Sequence, residues 1–222
     1  MLGFRQPFSG DIVDVINNPL KIYEGDLRHY ARIIFAAPNI HHGYHGLRHM
    51  LHVTWVCYEA CAYYERREMM TPRSMRNLLI AAMFHDYGHI GKKGEDAENI
   101  KVAIAAMHHS LLPEDLSESD VIEEIIKATQ FPHNDLGDFI TLEQSIIRDA
   151  DVSQAFGTAW IGEIAAGFGS ELNKTPVEML RLQLSFLGTV HFNSDFGKVF
   201  YGKDAVAAKI QETEDLLKIL SV

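Results

Sequence analysis

Apolar positions recur at three- and four-residue steps along most of the chain, and alternating β-branched runs between hairpin turns are nearly absent. Over residues 45–67 the stripe is Leu47, Leu51, Trp55, Tyr58 and Ala62, which predicts a helix. Thr71-Pro72 then supplies an N-cap and a proline at the first helical position. The helix it opens, 72–87, carries Leu78, Leu79, Ala82 and Met83 and stops at Gly88. A connection containing Gly91-Lys92-Lys93-Gly94 leads into a helix over 96–111. Another starts at Ser117, runs through Val121, Ile122, Ile125 and Ile126, and ends before Pro132. The same periodicity predicts helices over 139–156, 159–168, 176–199 and 203–220. The first forty residues are partly helical, around 11–16 and 23–35, and are expected to wrap the main bundle. Short loops, no linker and no repeat make this an all-α fold in a single helical bundle, one domain over 1–222.

Composition narrows the function classes. Hydrophobic residues make up 47% and charged residues 23%, as in an ordinary globular protein. A net charge of −10 argues against a nucleic-acid polymer as partner. An anionic small molecule remains compatible if metal ions supply positive charge locally. No apolar run is long enough to cross a bilayer, and Met1 to Gln6 do not begin a signal peptide, so no membrane partner is expected. Cys57 and Cys61 sit one helical turn apart, poorly placed for a structural disulfide, and read as small core residues of a cytoplasmic protein.

Histidine changes the picture. Of 12, five lie between His41 and His52, two are His85 and His89, and two are His108 and His109. His45 and His49, four apart, share one helix face. His85-Asp86 closes an apolar helix, where a carboxylate opposes the helix dipole and calls for a nearby positive charge. A third element, Ile146-Ile147-Arg148-Asp149-Ala150-Asp151, interrupts an apolar helix with two carboxylates that flank its buried stripe on opposite sides. Periodicity leaves open which of the two faces a site. A histidine, then His-Asp, then a distal Asp, on three separate helices, make a complete two-His, two-carboxylate ligand set.

That H…HD…D pattern, spanning residues 41–151, resembles the HD-domain superfamily of metal-dependent phosphohydrolases. The resemblance implies His49, His85, Asp86 and Asp151 as ligands of one or two divalent ions (Zn, Mn, Fe, Ni or Mg), with Asp86 able to bridge. Within the superfamily, Tyr44-His45-Gly46-Leu47-Arg48-His49 is similar to the Tyr-His-Asn-x-x-His signature of the class I cyclic nucleotide phosphodiesterases. His85-Asp86-Tyr87-Gly88-His89, Ala128-Thr129-Gln130 and Asp151-Val152-Ser153 resemble further motifs of those enzymes, and the last favours Asp151 over Asp149. Gly46 and Gln130 depart from the pattern, as do Ile100 and Lys101, which replace histidines after Glu98-Asn99.

The resemblance implies His45 as general acid and Asp86 and His89 as further catalytic residues. It also implies Glu98 as a substrate-side residue that hydrogen-bonds His45, and Gln183 and Phe186 as a nucleotide clamp. Lys92 and Lys93 are a solvated loop before they are a phosphate contact. His41, His42, His52, His108, His109 and His133 are not expected as primary ligands. The expected function is metal-dependent hydrolysis of a small-molecule phosphate ester, a nucleotide phosphodiester first. A nucleotide phosphomonoesterase and a catalytically silent metal- or nucleotide-binding sensor are the alternatives. Residues 1–40 would form the wrap, 41–156 the metal-binding core, and 157–222 the helices completing the pocket.

Overall fold

Thr71 starts a helix as its sequence predicts, and Thr141 and Thr175 start two more in the same way. Thr71, Thr141 and Thr175 each accept the backbone N–H three residues on, and Ser74, Gln144 and Glu178 reach back to the cap N–H. The computed structural model describes residues 27–91, 96–132 and 140–220. Its helices are α1 (Arg28–Ile34), α2 (Leu47–Glu65), α3 (Pro72–Phe84), α4 (Asp96–Ser110), α5 (Ser119–Lys127), α6 (Leu142–Ser153), α7 (Pro176–Leu187), α8 (Asp195–Tyr201) and α9 (Lys203–Leu220). Short 3₁₀ turns cover Pro113–Glu118 and Gln154–Phe156. Among the described residues there is no strand, and the fold is all-α.

Helix α3 is the axis. Every residue from Met75 to Phe84 is buried, because α1, α2, α4, α5 and α6 surround it. A helix buried on all sides over its last ten residues belongs in the middle of a bundle, and its C-terminal end then delivers His85-Asp86 to the interior. The main core runs through α1 to α6 and takes in Phe192, Phe196 and Tyr201. A second cluster, Trp160, Ile164, Ala165, Met179 and Leu180, joins residues 160–165 to α7.

Arg76, buried inside α3, is satisfied by a network around Asp115. Arg76 donates to both carboxylate oxygens of Asp115 (Nε to Oδ1 2.7 Å, Nη2 to Oδ2 2.8 Å). Arg73 adds a bond of 3.0 Å, and the Tyr30 hydroxyl donates to Asp115 Oδ2. Burial would raise the Asp115 pKa, but the hydrogen bonds from Arg76 and Tyr30 and the charges of both arginines hold it below the ordinary carboxylate range. Its contribution to stability is therefore complete above about pH 4, the unfolded value, and is lost as pH falls through the lower folded value. Asp115→Ala is expected to destabilise the fold by about 3–5 kcal/mol at pH 7, since it strands the buried Arg76 charge. Urea unfolding should show the wild-type advantage shrinking below pH 4.

Two elements depart from the periodicity, and two more differ in where they start. The predicted helix over 176–199 is two helices, α7 and α8, because Asp149 from α6 seizes the chain between them. It accepts the N–H groups of Asn193 and Ser194 (2.8 Å each) and the Ser194 hydroxyl (2.6 Å). Ser194 in turn caps α8. The stretch predicted as an α-helix over 159–168 winds as a π-helix over Ile161–Phe168, then a single α-turn, Gly169–Glu171. The predicted helix over 23–35 is described from Arg28, and that over 139–156 from Leu142. The expected helix around 11–16 lies outside the described residues.

Candidate metal centre

Residue 49 reaches the interior because α2 starts abruptly. Gly46 is its N-cap, and a Cβ there would lie 2.8 Å from the His42 carbonyl oxygen, so no larger residue fits without moving that loop. The asparagine expected at this position from the phosphodiesterase resemblance thus has no room here. Asn39 ties the loop to the end of α3: its Nδ2 donates to the carbonyls of His45 (2.6 Å) and Asp86 (2.9 Å), and its Oδ1 accepts from Gly88 N (2.9 Å). Gly88, at φ 76°, takes a left-handed turn that suits glycine and brings His89 back toward the site.

His49, His85, Asp86 and Asp151 converge. His49 Nε2 is 2.9 Å from Asp151 Oδ1 and 3.5 Å from Asp86 Oδ2; His85 Nε2 is 3.6 Å from each of the same oxygens. One ligand atom each from His49, His85 and Asp151 falls within 4.8 Å of the others. Ligands about 2.0–2.1 Å from one tetrahedral ion stand roughly 3.3–3.4 Å apart, close to these separations. The donor set also fits a cation. His85 Nε2 and Asp86 Oδ2 are buried and have no hydrogen-bond partner among the described residues, a costly arrangement unless something positive lies between them. Both imidazoles have Nδ1 committed elsewhere, His49 to Gln154 Oε1 (2.6 Å) and His85 to the Ala82 carbonyl (2.8 Å). Each Nδ1 donates, which leaves Nε2 as the ligand atom.

Electrostatics agree. Burial pulls the His49 pKa down, but the Asp151 hydrogen bond and the Asp86 and Asp151 charges lift it to about 9. Burial raises both carboxylates, yet the surrounding histidines hold Asp86 and Asp151 below their ordinary range. A proton on His49 thus occupies the place that a cation would take, and metal uptake must release it.

Beside the convergence lies a second histidine pair. His45 and His89 stack with ring centroids 3.8 Å apart and planes 12° from parallel. His89 Nδ1 accepts from Gly91 N (2.9 Å). Burial and the neighbouring His45 lower its pKa to about 4 against the pull of Asp86, so this ring is neutral near pH 7. His45 Nδ1 is 2.6 Å from Glu171 Oε2, while Glu171 Oε1 accepts the N–H groups of Tyr44 (2.6 Å) and His45 (3.0 Å). His89 also forms part of the wall of a cavity of about 200 Å³, with Pro38, Asn39, His42, Gly88 and Ile90.

The structure corrects the expected partner of His45. Glu98 lies on the solvent face of α4 and pairs with Lys101, both side chains 69% exposed, while Glu171 holds His45. The buried face of α4 is Asn99, Ile100, Ala103 and Met107, and Asn99 Oδ1 accepts from Ile90 N. Asp149 and Asp151, left open by periodicity, separate cleanly: Asp151 meets the histidines and Asp149 anchors the α7–α8 loop. Gln183 is buried with Nε2 unpartnered, and Phe186 is half-buried. Their helix, α7, packs on the π-helix and α9. Lys92, Lys93 and His133 lie outside the described residues. Sequence reasoning missed Asn39, Gln154, Glu163 and Glu171. The last three follow the motif region without a spacing signature, and only the chain's return over α2 brings them to the site.

Residues 46–155 match the family model described as HD domain. No curated protein matches the chain.

Proposed function

Since the chain, through residues 46–155, belongs to the HD domain family, whose members are generally metal-dependent hydrolases, we propose that it hydrolyses a phosphodiester of nucleotide type. The observation that carries this reading is the convergence of His49, His85, Asp86 and Asp151, with His85 Nε2 and Asp86 Oδ2 buried and unpartnered. These four residues would hold a divalent ion. When bound, such an ion supplies Lewis acidity toward phosphoryl oxygens and lowers the pKa of water. Asp86, with a second carboxylate oxygen, is the residue suited to bridge a second ion.

The chain's own residues supply the rest. His45, fixed through Nδ1 by Glu171, holds a proton at Nε2 for the leaving oxygen. His89, whose Nδ1 accepts from Gly91 N, carries its proton at Nε2 and donates to a phosphoryl oxygen. Gln183 and Phe186 would take the nucleoside, the role that the phosphodiesterase resemblance implies for them. Glu98, facing solvent, has no part. Residues 41–156 thus carry the chemistry, and 157–222 complete the pocket through Glu163 and Glu171. Among the described residues, the charged side chains nearest the four ligands, beyond the ligands themselves, include the carboxylates Glu171 and Glu163, the latter paired with Arg48. A diester carries one negative charge and a monoester close to two, so the diester asks less of the metal. No helix among the described residues is long and apolar enough to cross a membrane.

The test is a pair of chromogenic substrates with and without added divalent metal. Metal-dependent release of p-nitrophenolate from bis-p-nitrophenyl phosphate, faster than from p-nitrophenyl phosphate, is the expected result. The reverse preference would make the protein a monoesterase, and no turnover of either or of a nucleotide panel would make it a binding module.

A further inference from the structure

Outside the matched segment, the π-helix contributes a second carboxylate to the site, and it acts at one remove. Arg48 Nη2 lies 2.5 Å from Glu163 Oε1. Gln154 Nε2 donates to Glu163 Oε2 at 2.5 Å, and Gln154 Oε1 accepts from His49 Nδ1 at 2.6 Å. Gln154 and Glu163 are each 6% exposed, so water does not compete for these bonds.

The chain has a fixed polarity. Arginine only donates and an ionised carboxylate only accepts, so the amide atom facing Glu163 must be the nitrogen. The atom facing His49 is then the carbonyl oxygen, which requires the His49 proton to sit on Nδ1. Once the Nε2 proton is released, as metal uptake requires, the lone pair left there is directed at the convergence with His85, Asp86 and Asp151. A glutamine by itself is indifferent: its two ends are nearly the same size and it can flip. We propose that Glu163 is a positioning residue that sets the Gln154 amide and, through it, keeps the His49 proton on Nδ1 when the Nε2 proton is released, the tautomer that binds metal. This rests on the metal-centre reading above but not on the choice of substrate.

Glu163→Gln removes the acceptor-only end with almost no change in volume. Gln154 is then free to turn its NH₂ toward His49, which favours the proton on Nε2 and blocks the ligand atom. The compensating exchange, Gln154→Glu with Glu163→Gln, puts an acceptor-only carboxylate directly against His49 Nδ1, and the amide at 163 donates to it. A purely structural role predicts no such restoration.

The experiment measures two quantities on full-length wild type, Glu163→Gln and the double variant. The first is the His49 tautomer in metal-free protein, by ¹⁵N NMR above pH 9; the second is the Kd for Zn²⁺ alone, against a chromophoric chelator. The expected result is Nδ1-H in wild type, a shift toward Nε2-H with about 10–100-fold weaker Zn²⁺ binding in Glu163→Gln, and recovery of both in the double variant. An unchanged tautomer in Glu163→Gln would overturn the proposal. So would Zn²⁺ binding that stays weak in a double variant whose tautomer has recovered. A wild-type protein that binds no Zn²⁺ yet shows the tautomer shift would fail the metal-centre reading and leave the positioning role standing.

Discussion

His85→Ala is expected to abolish metal retention and, with it, measurable phosphoester turnover. His85 supplies one of four converging groups, and its Nε2 has no hydrogen-bond partner among the described residues. Its removal leaves Asp86 and Asp151 sharing a site with one imidazole, too few neutral donors for a tight tetrahedral set. Thermal unfolding gives a readout independent of activity. A ligand that binds only the folded state at a thousand times its Kd stabilises by about 4 kcal/mol. At 2–4 °C per kcal/mol for a chain of this size, wild type should gain roughly 8–16 °C on adding metal and His85→Ala almost nothing. Asp151→Asn should behave like His85→Ala. Asp149→Asn should keep its metal, because that carboxylate is spent on Asn193 and Ser194. Metal stoichiometry by elemental analysis ranks the three, and retention in Asp151→Asn with loss in Asp149→Asn would reverse the assignment.

His45→Asn should lower turnover by roughly 10²–10⁴-fold, the usual worth of a positioned acid, while metal content stays at the wild-type level. The ring is outside the ligand convergence, 6.2 Å between centroids from His49, and its Nδ1 is occupied by Glu171. The loss should depend on the leaving group. p-Nitrophenolate departs with little protonation, so its release should suffer less than expulsion of a nucleoside alkoxide. Equal losses on both substrates would assign His45 to binding, and loss of metal would make it a ligand.

The helical class, several helix starts and the gathering of histidines and carboxylates on separate helices were legible from residue type and spacing, while the choice of His49, His85, Asp86 and Asp151 as candidate ligands came from the resemblance to the HD-domain superfamily. Capping and three-residue periodicity are local, so Thr71-Pro72 announces its helix without reference to the rest of the chain. His85-Asp86 stood out for a similar reason: a carboxylate ending an apolar helix is unfavourable by its own local electrostatics and implies a cation. What only the tertiary structure decided is everything that depends on contacts between distant segments. Asp149 and Asp151 are chemically the same and flank one stripe, and the α7–α8 loop packing on one of them distinguishes their tasks. Glu98 matched a motif, yet α4 turns it to solvent, and a glutamate 73 positions later holds His45 instead. Gln154 and Glu163 carry no periodic signal, because their purpose is set by a hydrogen-bond polarity that runs through space from Arg48 to His49. Local sequence fixes which groups are costly to bury; long-range packing determines which of their neighbours make that burial tolerable.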